Sequence, residues 1–184
     1  VFAPSDNENF DDYTTWTGSI IKNNNKWHYF YTGRNKRENG TKQRIGHAIG
    51  ETPYSFSRCG NGLALDLDKN IYQELVKDNY WEDRAMRDPW VMKHPYENKF
   101  IMAYTARASI NNDPYQCGVI GMAESNDLYE WQSTKPLFGG LFSQLEVPQI
   151  FTAKDRWYCL FCNHPEDWSN EFKKNYNGPT RRGT

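Results

Sequence analysis

The sequence predicts an all-β propeller, and three observations support that class. A short motif recurs three times, as Trp16-Thr17-Gly18-Ser19-Ile20-Ile21, Arg87-Asp88-Pro89-Trp90-Val91-Met92 and Glu146-Val147-Pro148-Gln149-Ile150-Phe151. A polar turn and an aromatic run follow each copy: Lys26-Trp27-His28-Tyr29-Phe30-Tyr31, Lys99-Phe100-Ile101-Met102-Ala103-Tyr104 and Arg156-Trp157-Tyr158-Cys159-Leu160-Phe161. Aromatic residues make up 16% of the chain, which favours sheet over helical bundle. Units of about four strands in roughly 40 to 60 residues are propeller blades.

The first unit spans about residues 16–58. Gly18 to Lys22 and Trp27 to Thr32 read as strands around the turn Asn23-Asn24-Asn25. Arg44 to Gly50 and Tyr54 to Arg58 complete it. The second unit spans about residues 87–132, with strands at Trp90 to Lys93, Phe100 to Thr105, Gly118 to Glu124 and Leu128 to Gln132. Its Ile120-Gly121-Met122-Ala123 matches Ile45-Gly46-His47-Ala48 of the first. A partial third unit covers about residues 146–165. The stretch Ile71 to Arg84 admits a short helix or an inter-blade loop. The polar tail, residues 166–184, shows no packing pattern and is expected to fray. Two and a half blades do not close a ring, and an open arc exposes strand edges. The chain is therefore expected to be a section of a larger propeller.

Composition excludes several classes. The 22 basic and 23 acidic residues leave a formal charge of −1, with no basic patch for nucleic acid or an anionic membrane. No apolar run approaches the ~20 residues of a membrane span. The chain begins at Val1 with no charged n-region or apolar h-region, so either a leader was removed or the chain is a piece of a longer polypeptide, and a piece is expected. Cys159 and Cys162 lie three apart on one strand, so their sulfurs point to opposite faces and read as buried small groups. His28, His47, His94 and His164 show no ligand spacing, and no phosphate loop or nucleophile elbow is present. No metal or cofactor is expected.

Aligned by repeat, Trp16, Arg87 and Glu146 share one position, with Asp88 next to it. Repeated positions converge on a propeller axis, so these side chains should cluster at one end of a central channel. Asp88 is either a turn aspartate paired with Arg87 or a site carboxylate. Glu146 is either a solvated carboxylate or an acid whose apolar neighbours favour its protonated form. Two carboxylates in one funnel suit glycoside cleavage. Trp16 and Trp90 are either core aromatics or sugar platforms.

Trp16-Thr17-Gly18-Ser19, Arg87-Asp88-Pro89 and Glu146-Val147-Pro148-Gln149, in this order, resemble glycoside hydrolase families 32 and 68 over roughly residues 1–165. The resemblance implies a five-bladed propeller acting on fructosides such as sucrose, levan or inulin-type chains, by hydrolysis or transfer. It implies Glu146 as general acid/base and Asp88 as transition-state stabiliser. Trp16, Ser19, Arg87, Trp90 and Gln149 would bind sugar. The families' nucleophile is an aspartate in a motif such as Trp-Met-Asn-Asp-Pro-Asn-Gly, which this sequence lacks. Asp6, Asp11 and Asp12 lie too close to Trp16 to replace it, so the nucleophile is expected upstream of Val1. A family 43-type arabinosidase or xylosidase and a non-catalytic sugar-binding propeller are the alternatives.

Overall fold

The computed structural model describes residues 2–74, 83–109 and 113–177. The fold is all-β, with four-stranded antiparallel sheets arranged like propeller blades. The first sheet is β1 (Thr14–Asn23), β2 (Lys26–Arg34), β3 (Gln43–Thr52) and β4 (Ser55–Leu65), paired in that order. The second is β5 (Met86–Lys93), β6 (Phe100–Arg107), β7 (Gly118–Ser125) and β8 (Gln132–Gly139). A third pairs β9 (Glu146–Ala153) with β10 (Arg156–Cys162).

Local chemistry sets the meander. Asn24 and Asn25 adopt φ of 47° and 63°, the left-handed pair that a tight hairpin needs and asparagine tolerates. The recurring Ile-Gly-x-Ala of β3 and β7 also has a cause. A Cβ on Gly46 would lie 2.3 Å from the Tyr31 ring, and one on Gly121 equally close to Tyr104. Only glycine lets each tyrosine lie flat across the neighbouring strand.

The core lies between sheets. Phe30, Ile45, Met86, Met102, Tyr104 and Leu128 fill the space between the first and second. Ile120, Phe142, Leu145 and Ile150 do so between the second and third. The outer face of the third sheet is open: Phe151, Tyr158 and Leu160 are exposed.

Two elements differ from the sequence reading. Residues 128–131 are not strand, and β8 starts at Gln132. Asp127 accepts backbone hydrogen bonds from Tyr129 and Glu130, and Leu128 sits at φ 73°, so an aspartate-built turn occupies that stretch. The start of the tail is packed rather than frayed. Ser169 caps a short helix, α1 (Asn170–Asn175), and Trp168 and Phe172 pack with Phe142. Those aromatics are spaced for a single helical turn, too short to show periodicity. Ile71 and Tyr72 form a turn, and the rest of the allowed helix lies mainly on residues 75–82, outside the described residues. Cys159 is half-buried and Cys162 exposed, and both are free. No described helix is long and apolar enough to cross a membrane.

A buried histidine pair makes stability depend on pH. His28 Nδ1 and His47 Nε2 lie 2.9 Å apart, stacked under Phe30 and edge-on to Tyr129. Burial, then the His28 charge, pushes His47 down to about 4, and burial with Lys26 lowers His28. The unfolded chain therefore binds protons that the fold refuses. This stability is complete above about pH 6.5 and is lost as pH falls towards about 4. The loss is on the order of 3 kcal/mol for His47. Glu38, held at about 2 chiefly by Arg44, loses its contribution lower, as pH falls from about 4.5 towards 2. Urea midpoints should fall between pH 7 and pH 5 in the native chain, and fall much less in His47→Phe. Equal slopes in both would show that the pair is not responsible.

Candidate active site

The site is built on a shared irregularity of the inner strands. In β1 the register shifts between Thr15 and Gly18, and in β5 between Arg87 and Trp90. In β9 the residues between Glu146 and Gln149 face a single residue of β10. Two residues oppose one at each point, which is a β-bulge, and bulges re-aim side chains. Asp88 and Val147 take φ of 58° and 50° there. The second residue of the repeat motif thus leaves the regular pleat in β5 and β9.

The bulge delivers Asp88 to a junction of three sheets. Its Oδ1 accepts from the Thr17 hydroxyl of β1. Its Oδ2 lies 3.0 Å from the Thr105 hydroxyl of β6 and accepts from the Val147 N–H of β9 at 3.1 Å. Its own N–H donates to Thr32 Oγ1 at 2.9 Å. Asp88 is buried, with Arg87 Nε 3.6 Å from Oδ2.

Arg87 joins the two carboxylates. Its Nη2 donates to Glu146 Oε1 at 2.7 Å and also to Gln144 Oε1. One planar guanidinium therefore touches both acids and holds them within about 9 Å, close enough to act on one sugar ring. Glu146 does not sit in the apolar surroundings expected from Leu145 and its neighbours. Leu145 turns into the core, while the Glu146 side chain is 40% exposed and faces Arg87. Successive residues at a strand entrance point to opposite faces, which the linear sequence cannot apportion.

The other expected residues are placed differently. Trp16 is partly exposed, with the Arg34 guanidinium over its ring, 3.7 Å from the centroid. Ser19 lies along β1, where its Oγ accepts from Val91 N–H at 3.0 Å. Trp90 packs between the second and third sheets and donates its indole N–H to the Ile150 carbonyl at 2.8 Å. Gln149 is exposed on β9. Residues the sequence did not single out complete the site: Thr17, Thr32 and Thr105 around Asp88, and Gln43, Asp83 and Gln144 around Arg87. Of these, Thr17 alone belongs to the repeat motif, next to Trp16.

Asp11 is on the other face of the first sheet. It accepts from Tyr31 Oη at 2.8 Å and Arg58 Nε at 2.8 Å, whereas the adjacent Thr32 faces Asp88. Asp12 accepts from Lys36 N–H. Among the described residues no group of three or more His, Cys, Asp or Glu is placed to hold a metal.

Blade-like sheets whose inner strands bring two carboxylates onto one arginine define a propeller domain with a candidate polar active site. Within that class, the chain belongs to the glycosyl hydrolases family 32, whose N-terminal domain matches residues 2–180. No curated protein matches the chain in sequence. Among solved structures it is similar to sucrose-6-phosphate hydrolase from Lactobacillus gasseri, at 20% identity and TM-score 0.66, covering 90% of this chain and 30% of that one. It is similar to the Bombyx mori family 32 β-fructofuranosidase, at 17% identity and TM-score 0.61, covering 80% of this chain and 29% of that one. A levansucrase of B. megaterium aligns at 16% identity and TM-score 0.68, covering 85% of this chain and 46% of that one. The chain spans less than half the length of these structures.

Proposed function

We propose that this domain serves a retaining glycosidase acting on fructosides. The observation that carries this reading is the pairing of Asp88 and Glu146 across Arg87 in a family 32 domain. Glu146, the more exposed of the two, acts as general acid on the leaving oxygen and then as base towards water or an acceptor sugar. Asp88, anchored by donors from three sheets, stabilises the transition state through fructosyl hydroxyls. Arg87 and Trp16 bind sugar, together with Ser19, Trp90 and Gln149 of the same inner strands. The nucleophilic carboxylate comes from outside these residues, since Asp11 and Asp12 are committed elsewhere. The Bombyx mori relative has been solved with sucrose, which supports a carbohydrate partner.

The test is a product panel on the polypeptide that carries this domain. Sucrose, levan and inulin should release fructose, and arabinosides and xylosides should remain intact. Release of arabinose or xylose instead would favour the family 43-type reading. Binding of sucrose without turnover would favour a sugar-binding propeller.

A further inference from the structure

The geometry points to Gln43 as a positioning residue that keeps Arg87 on Glu146; this rests on the reading of Glu146 given above. Gln43 opens β3 and is 1% exposed. Its amide oxygen accepts from Met86 N–H at 3.2 Å and from Arg87 Nη1 at 3.3 Å. Its amide nitrogen donates to Asp83 Oδ2 at 2.5 Å. Asp83 is a competitor for Arg87, with the same Oδ2 3.8 Å from Nη1. Charge attraction in a buried site would draw the guanidinium onto Asp83 and away from Glu146. An amide is suited to prevent this, because it donates at one end and accepts at the other. Gln43 occupies Asp83 with its NH₂ and offers Arg87 a neutral acceptor. Arg107 Nη2, 2.8 Å from Asp83 Oδ1, holds Asp83 from the other side. Gln144 accepts from Nη2 and completes the aim. A leucine would fill the Gln43 volume and remove both functions. A glutamate would capture Arg87 itself and repel Asp83.

The experiment is arginine side-chain NMR on the polypeptide that carries this domain, read beside its far-UV circular dichroism. In the native chain the Arg87 guanidinium should rotate slowly, with resolved Nη resonances and contacts to Glu146. In Gln43→Leu the dichroism should be unchanged, and the Glu146 contacts should be lost in favour of Asp83. Adding Asp83→Asn to Gln43→Leu should restore them, a rescue that a merely structural role does not predict. If Gln43→Leu does not fold, Gln43→Asn, one methylene shorter, should fold and show a partial loss. Arg87 still bound to Glu146 in either folded variant would overturn the proposal. Absence of fructoside turnover by the native protein would sink the catalytic reading and leave the Arg87 result standing.

Discussion

Glu146→Gln is expected to lower turnover of sucrose by roughly 10² to 10⁴-fold, the usual share of a general acid/base, in the polypeptide that carries this domain. The fold should survive. The swap is nearly isosteric, the side chain is 40% exposed, and an amide oxygen can still accept from Arg87 Nη2. The loss should depend on the leaving group. A poor leaving group needs its oxygen protonated, so sucrose suffers most, and an activated aryl fructoside loses less in the first step. Azide should restore part of the rate, because a small anion attacks the intermediate without a base. Near-normal rates on sucrose would show that Glu146 is not the acid/base.

Asp88 should respond in another way, because it ties the fold together as well as facing the site. Asp88→Ala removes the acceptor shared by Thr17 and Val147 N–H and places a non-glycine, non-Asx residue at φ 58°. A cost of about 3 kcal/mol is expected, from unpaired buried donors and the lost partner of a buried arginine. The urea midpoint should fall accordingly. Asp88→Asn should cost about 1 kcal/mol, since asparagine tolerates the left-handed region and keeps an oxygen towards Val147. Both variants should lose turnover alike on good and poor leaving groups, with no rescue by azide. If Asp88→Ala melts like the native chain, the three-sheet junction is not what holds these strands. If Asp88→Asn responds to azide, Asp88 shares the role assigned to Glu146.

The two side chains with the largest expected effects were legible in the sequence for a physical reason. A repeat puts equivalent residues at equivalent places, so Arg87, Asp88 and Glu146 align by sequence alone. Hairpin turns such as Asn23-Asn24-Asn25 and the alternating aromatic strands were legible because their causes are local. Elsewhere local signals and tertiary structure diverge. Leu128-Tyr129-Glu130-Trp131 has strand-forming residues, yet the Asp127 side chain captures the backbone into a turn. Trp168 and Phe172 looked like part of a polar tail, and only Phe142, far away in sequence, gives them a core to join.

By itself, then, the sequence determined the all-β class, the strand units and which polar residues share a repeat position, because periodicity and turn chemistry are written in neighbouring residues. The direction each side chain takes from its strand was decided only by the tertiary structure. A bulge turns Asp88 out of the pleat, Arg34 covers one face of Trp16, and Leu145 points inward while Glu146 points to Arg87. The same holds for Gln43 and Gln144, which reach Arg87 from separate segments. Their role depends on distances between strands that packing sets, and no spacing along the chain encodes those distances.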